Sequence, residues 1–121
     1  MKEINMSVIN CSTAANYFHF LRMHMRSNFR KPVAVIAPKK LLRFKGACSS
    51  AEDFCEGSRF KRLIEDTNEK LAAADKVRKV ILCSGQVYFD LEARREAEKK
   101  HDIAILRVES LCPFPFKEIV S

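Results

Sequence analysis

A strand–turn–helix–strand pattern in the last third of the chain constrains its fold more than any other feature. An apolar strand is predicted at 79–83, a Ser-Gly-Gln turn follows at 84–86, and a charged helix begins at about Val87. A second apolar strand follows at 103–109. Two buried strands joined by a helix are typical of a parallel βαβ unit. The sequence therefore predicts an α/β fold.

The first forty residues show the same order of elements. A strand is predicted at 6–10 and a helix at about 14–29, with Ser12 or Thr13 as its N-terminal cap. The next strand, 33–37, consists of five consecutive apolar residues. Because such a run lacks alternation, we expect it to be buried on both faces, as in a parallel sheet.

The middle of the chain has weaker signals. Pro38 opens a short helical turn that reaches Arg43. Apolar and polar residues alternate enough at 60–65 to predict a strand. The polar stretch 66–76 is predicted to be a loosely helical surface connection. We therefore expect two βαβ-like units joined by an irregular segment.

The net charge of +7 is unevenly placed along the chain. Residues 1–50 carry nine Lys or Arg and one acid, whereas 51–121 carry thirteen basic and fourteen acidic residues. A basic half occurs in nucleic-acid-binding proteins, but also on solvated helices and on surfaces that meet an acidic partner. We favour the last two interpretations and predict no nucleic-acid partner. No apolar run is long enough for a membrane span, and the N-terminus does not resemble a secretory signal.

The five cysteines are widely spaced and form no Cys-x-x-Cys motif. This pattern indicates reduced thiols rather than a disulfide framework. Cys48, Cys55 and His101 do not have the spacing of a zinc site, so no metal is predicted.

Two features near strand ends admit both a structural and a functional interpretation. Ser84-Gly85-Gln86 lies where α/β sheets bind ligands, and free N–H groups there attract anions. A single glycine fits a tight turn better than a phosphate loop, so we favour the turn. Pro113-Phe114-Pro115-Phe116 is either a plug over the sheet edge or a subunit or domain contact.

The helix that begins at Val87 is predicted to expose a charged face. Two pairs of opposite charge lie four residues apart, Asp90/Arg94 and Glu96/Lys100, and are predicted to attract. The like-charged pair Glu92/Glu96 is predicted to repel. Three residues are predicted to face inward or toward a neighbour: Tyr88, Leu91 and Arg95. Elsewhere His19 lies among aromatic residues, which favours a packed rather than a catalytic histidine. No catalytic residue is predicted.

Four runs carry a resemblance to a known family. They are CSTAANYFHFLR (11–22), RKPVAVIAPKKLLR (30–43), CSGQVYFDL (83–91) and RVESLCPFPF (107–116). In this order the runs resemble the C-terminal part of the thiamine-dependent dehydrogenase subunit of the 2-oxoglutarate dehydrogenase complex. The resemblance implies three parts. Residues 1–45 are the last strand–helix–strand of a pyrimidine-binding domain, 46–75 a connecting segment, and 76–121 a truncated transketolase C-terminal-like domain.

The resemblance also implies a function. Such subunits oxidatively decarboxylate 2-oxoglutarate with thiamine diphosphate and Mg²⁺. They transfer the succinyl group to a lipoyl-bearing acyltransferase subunit, and they are homodimers of the mitochondrial matrix or of the bacterial cytoplasm. Their cofactor-binding and catalytic residues lie outside the matched runs. We therefore expect this chain to be a structural, dimer-building portion that holds no cofactor itself and is inactive alone.

Some relatives also bind an acyl-CoA effector through basic residues in this region. The resemblance implies Arg22, Arg59 and Lys117 as counterparts, while Met23 and Ser110 depart from the family pattern. Two alternatives stay open: a fragment of a sister, 2-oxoadipate-type dehydrogenase, and a standalone α/β binding or scaffold protein.

Overall fold

The computed structural model describes residues 4–120 and arranges their six strands in two three-stranded sheets. The first sheet has the order β2–β1–β6, with β1 Ser7–Ile9, β2 Val33–Val35 and β6 Ser110–Cys112. The second has the order β3–β5–β4, with β3 Leu63–Ile64, β4 Lys79–Cys83 and β5 Ile103–Val108. In each sheet the central strand has one parallel and one antiparallel neighbour.

Helices connect the parallel strands in both sheets. Helix α1 (Ala14–Arg26) joins β1 to β2, and α2 (Val87–Ala97) joins β4 to β5. A short helix α3 (Phe116–Val120) follows β6, and four 3₁₀ turns lie at Lys39–Arg43, Lys45–Ala47, Ala51–Phe54 and Ala74–Lys76. The predicted α/β fold and both strand–helix–strand units are confirmed. Strand β6 and helix α3 were not predicted.

Helix α1 is three residues shorter than its predicted extent. Thr13 caps its start, because its side chain accepts a hydrogen bond from Asn16 N. At the other end, Ser27 adopts an extended conformation and its Oγ donates to the carbonyl of Met23 at 2.9 Å. The helix therefore ends at Arg26, well before Pro32.

Strands β2 and β4 are less buried than predicted. Each lies at an edge of its sheet, so nothing pairs with its outer side among residues 4–120. Val80 and Leu82 of β4 are 56% and 46% exposed, and Val35 of β2 is also exposed. The prediction of burial on both faces was wrong for 33–37, because a continuous apolar run does not reveal where its strand lies in the sheet.

The strand predicted at 60–65 is only two residues long in the structure, Leu63–Ile64. Leu63 and Ile64 pair with Val108 and Arg107, whereas the backbone of Lys61 bonds to the side chain of Asn16. The stretch 66–76 is not helical except at Ala74–Lys76. Side chains replace helical bonds there: Asp66 accepts from Asn68 N at 3.0 Å, and Asn68 accepts from Lys70 N at 2.8 Å.

Helix α2 buries Tyr88 and Arg95 as predicted, but its charged residues pair differently. Arg94 bonds to Glu98 at 2.8 Å rather than to Asp90, and Lys100 also pairs with Glu98. Because the helix ends at Ala97, Lys100 is not at helical spacing from its predicted partner. That partner, Glu96, instead accepts bonds from Lys70 and Asn68 of the connecting segment.

The most buried apolar side chains come from both sheets and from α1. They include Ile9, Phe20, Ile105 and Val108. Within 4–120 no helix is long and apolar enough to cross a membrane.

Candidate functional site

A buried carboxylate joins the two strand–helix–strand units. Glu109, which follows β5, is fully buried. Its Oε1 accepts from Ser12 Oγ at 2.5 Å, and its Oε2 accepts from Ser12 N at 2.8 Å and from Asn16 Nδ2 at 3.0 Å. Ser12 and Asn16 belong to the β1–α1 junction, so these bonds fasten the first unit to the second.

The nearest cation reaches this carboxylate only indirectly. Arg107 is buried, its guanidinium lies 4.2 Å from the centroid of the Tyr88 ring, and its Nη1 donates to Ser12 Oγ at 3.2 Å. Burial raises the pKa of Glu109. The bonds from Ser12 and Asn16 and the charge of Arg107 lower it, but only in part. The same burial, with the charge of Glu109, raises the pKa of Cys11 to about 12, so this thiol is a poor nucleophile.

Asn16 extends the network to the connecting segment. Its Nδ2 donates to the carbonyl of Lys61 at 2.9 Å, and its Oδ1 accepts from Lys61 N at 2.9 Å. The amide side chain of Asn16 thus makes the two hydrogen bonds with the Lys61 backbone that a neighbouring strand would otherwise make. The segment that enters β3 is thereby held against the first turn of α1.

Beside this network lies a polar cleft of about 470 Å³. It is lined by the start of α1, by the segment 48–61 and by Arg107. Three cationic side chains line it, namely Arg59, Lys61 and Arg107, together with the carboxylate of Asp53 and the imidazole of His19. We refer to it below as the polar cleft.

His19 is a packed residue, as its aromatic neighbours predicted. It is 3% exposed, and its Nε2 lies 2.7 Å from the carbonyl of Asp53. Since a carbonyl only accepts, Nε2 carries the hydrogen in this contact. Nδ1 is buried and has no hydrogen-bond partner among the described residues.

The residues predicted to bind an acyl-CoA effector are only partly brought together. Arg22 Nη2 donates to the carbonyl of Ser58 at 2.9 Å, directly before Arg59. Lys117 lies on α3 and is exposed, beside Glu118, which is 3.8 Å from Arg62. A groove of about 610 Å³ runs from Met23 past Arg59 to Glu118, and neither Arg22 nor Lys117 is among its lining residues.

Ser84–Gln86 form the tight turn that the sequence favours. Gly85 has φ +63°, and a Cβ at this position would lie 2.6 Å from Asn10 Nδ2. The glycine therefore permits both the left-handed turn and close contact with the first unit. Near the C-terminus, Phe114 and Phe116 are 39% and 71% exposed, whereas Pro115 between them is fully buried. The proline therefore packs into the fold, but the two phenylalanines do not form the apolar plug that was one interpretation.

Sequence reasoning missed the network around Glu109. A signal for it exists, because Arg107 and Glu109 alternate with apolar residues in an otherwise buried strand. For metals, the described residues include no group of three or more His, Cys, Asp or Glu arranged to hold an ion. All five cysteines have free thiols.

Comparison with known proteins identifies the family. The sequence profile of the 2-oxoglutarate dehydrogenase C-terminal family matches residues 48–121. The chain belongs to that family. It is 44% identical over 126 aligned residues to the 2-oxoglutarate dehydrogenase E1 components of Brucella anthropi, Brucella ovis and Brucella canis, and these alignments cover 98% of it. They cover only 12–13% of the length of each relative. The recognition from the four sequence runs is confirmed.

Proposed function

We propose that this chain serves as the C-terminal structural region of a 2-oxoglutarate dehydrogenase E1 component. The proposed activity of the whole subunit is oxidative decarboxylation of 2-oxoglutarate with thiamine diphosphate and Mg²⁺. The match of residues 48–121 to the family carries this proposal. The 44% identity across nearly the whole chain supports it.

The contribution of this region is proposed to be architectural. Glu109, Ser12 and Asn16 hold the two strand–helix–strand units together, which supports a role as a rigid block within a larger subunit. Because Mg²⁺ needs several oxygen ligands and residues 4–120 offer no metal-binding cluster, they do not fit the cofactor site. Neither cofactor binding nor any catalytic step is therefore assigned to these residues.

Homodimerisation and docking of a lipoyl-bearing acyltransferase are proposed at the level of the whole subunit. Exposed apolar side chains on α1 support the dimer, because a face of this kind is costly in water. They are Phe18, Leu21 and Met25, which are 43%, 44% and 66% exposed. The proposed location is that of the complex: the mitochondrial matrix in a eukaryote, or the cytoplasm in a bacterium.

An acyl-CoA effector site at Arg22, Arg59 and Lys117 remains a second proposal. The hydrogen bond from Arg22 to the carbonyl of Ser58 supports it, because this bond places the Arg22 side chain against the backbone next to Arg59. The groove past Arg59 offers space for an elongated ligand beside this one cation of the three.

A chimera tests the proposed function. The matching segment of the Brucella anthropi E1 component is replaced by this chain, and reduction of ferricyanide is measured with thiamine diphosphate and Mg²⁺. We expect 2-oxoglutarate-dependent turnover at a rate similar to that of the parent. The isolated chain, assayed in parallel, should give none above a protein-free control.

Size-exclusion chromatography separates a failure of assembly from a failure of chemistry. A chimera that neither assembles nor turns over would contradict the proposal and favour the standalone scaffold. Turnover that required 2-oxoadipate instead of 2-oxoglutarate would favour the sister dehydrogenase. Turnover by the isolated chain would contradict the architectural role.

A further inference from the structure

The polar cleft has features of a binding site that the proposed function does not use. Its walls come from both units, since α1 provides one side and Arg107 of β5 the other. Three cationic side chains line it against the single carboxylate of Asp53. That carboxylate is already engaged, because its Oδ2 accepts from Ser50 N at 2.9 Å and from Ser50 Oγ at 3.0 Å.

Arg107 supplies the buried part of the site. It is 7% exposed, and only its Nη1 makes a hydrogen bond, to Ser12 Oγ. Its Nε is buried, and neither Nε nor Nη2 has a hydrogen-bond partner among the described residues. A buried guanidinium with unused donors is costly unless an acceptor reaches it.

Arg59 and Lys61 supply the exposed part. Both side chains are free of ion pairs and hydrogen bonds within 4–120, although the Lys61 backbone is held by Asn16. The first turn of α1 adds the positive end of a helix dipole. Its N–H groups are largely occupied, since Ala15 N donates to Ser49 Oγ and Asn16 N donates to Thr13 Oγ1. Side-chain cations therefore provide most of the recognition.

We propose that the polar cleft binds a tetrahedral oxyanion of the phosphate class, held between Arg107, Arg59 and Lys61. A phosphate group presents several anionic oxygens and can bond to three cations at once, whereas a carboxylate presents two. The volume of about 470 Å³ accommodates a phosphate with a small organic group attached. The site is distinct from the proposed effector site, with which it shares only Arg59.

Titration of the 121-residue chain tests this inference. Inorganic phosphate, glycerol phosphate and acetate are added separately at low ionic strength, and the amide NMR signals of Asn16, Ser49 and Lys61 are followed. We expect both phosphate compounds to shift these signals saturably and acetate to bind much more weakly. Tighter binding of glycerol phosphate would identify an esterified ligand, and equal binding would identify free phosphate.

Two variants and a matched control locate the site. Lys61→Gln and Arg59→Gln each remove one cation from an exposed position, and Lys40→Gln removes the same charge from the 3₁₀ turn outside the cleft. We expect each cleft variant to weaken phosphate binding about tenfold, as for loss of one charge-assisted hydrogen bond. The control should bind like the wild type. Equal weakening in all three, no change in the cleft variants, or acetate binding as tight as phosphate would each overturn the inference.

Discussion

Two carboxylates with buried side chains among residues 4–120, Asp66 and Glu109, differ in the partners that surround them. Asp66 directly faces the guanidinium of Arg95, and its Oδ2 also accepts from Ile105 N at 2.8 Å. Glu109 is just as inaccessible but accepts only from the neutral groups of Ser12 and Asn16. One carboxylate therefore has a charged partner and the other has none in direct contact.

This difference gives the two groups opposite pKa shifts. Burial raises the pKa of Asp66, but the bonds from Arg95, Ile105 N and Asn68 N outweigh it, so the pKa lies below the ordinary value. At Glu109, burial outweighs the neutral donors, so the pKa lies above the ordinary value. Depth of burial alone therefore does not decide the charge of a buried carboxylate, whereas a direct cation does.

The two groups also connect different parts of the fold. Asp66 and Arg95 tie the connecting segment to α2 and β5, all close to the second sheet. Glu109 ties β5 to the junction between β1 and α1 in the first unit. The ion pair thus holds one unit together internally, and the uncharged network joins the two units.

The largest effect is expected from Asp66→Asn. The substitution keeps the shape of the side chain but leaves the guanidinium of Arg95 buried without a counter-charge. Breaking a buried pair from one side costs about 3–5 kcal/mol, and urea unfolding should show a loss of this size. The double variant Asp66→Asn/Arg95→Met should recover part of it. Asp90→Asn, at an exposed position on α2, is the matched control and should change stability by less than about 0.5 kcal/mol.

An effect of Asp66→Asn no larger than that of the control would mean that the ion pair contributes nothing to folding. The contrast between the two carboxylates would then fail. A full recovery in the double variant would show that the cost came from the unpaired guanidinium alone.

A smaller loss is expected from Glu109→Gln. The amide oxygen can replace one carboxylate oxygen, but the amide nitrogen would face hydrogen-bond donors from Ser12 and Asn16. Leaving buried donors unsatisfied costs about 1–3 kcal/mol, which urea unfolding should detect. Because the guanidinium of Arg107 bonds to Ser12 and not to Glu109 itself, the loss should be smaller than for Asp66→Asn. A loss of stability larger than that of Asp66→Asn would mean that the uncharged network, and not the ion pair, contributes more to folding.

The pH dependence of these two variants distinguishes the carboxylates further. The folded pKa of Glu109 is raised above 4.5, so its contribution is present below pH 4.5 and is lost as the pH rises through the folded pKa. The advantage of the wild type over Glu109→Gln should therefore shrink as the pH increases. For Asp66 the folded pKa is lowered below 3.8, so the advantage over Asp66→Asn should shrink as the pH falls below that value. Parallel profiles would contradict the two opposite shifts.

A backbone contact between the units is tested by Gly85→Ala. The residue has φ +63°, and the added Cβ would lie 2.6 Å from the side chain of Asn10. We expect a loss of about 1–2 kcal/mol in urea unfolding, from strain and crowding together. Gly57→Ala is the matched control, since Gly57 has φ +91° but nothing within 4 Å. Its loss should be smaller, and Asn10→Ala should relieve the difference. Equal losses would mean that this contact does not constrain the units.

Much of the fold could be predicted because it depends on local patterns. The apolar runs before and after α2 identify β4 and β5, and Thr13 marks the start of α1. The position of a strand within its sheet could not be predicted. Strands β2 and β4 have the continuous apolar sequences typical of central strands, but both lie at sheet edges. Strand β6 depends on antiparallel pairing with β1, about a hundred residues away, and nothing in its local sequence indicates that partner.

The site was harder to predict than the fold. Arg22 and Arg59 were named only from a family resemblance, whereas the Glu109 network depends on side chains 93 to 97 residues apart in sequence. Only the alternation of Arg107 and Glu109 in an apolar strand pointed to it. Sequence patterns indicate which side chains are unusual, but the choice of partner, and with it the direction of a pKa shift, depends on tertiary packing.

The smallest effect is expected from an exposed ion pair on α2. Bonds from Lys100 and Arg94 lower the pKa of Glu98 to about 2. The guanidinium side of this pair is largely in water, where screening by salt and side-chain entropy cancel most of the attraction. Arg94→Gln should therefore leave the urea midpoint unchanged in moderate salt. A loss approaching that of Asp66→Asn would show that exposure does not separate this pair from the buried one, and that a direct cation is sufficient at any depth.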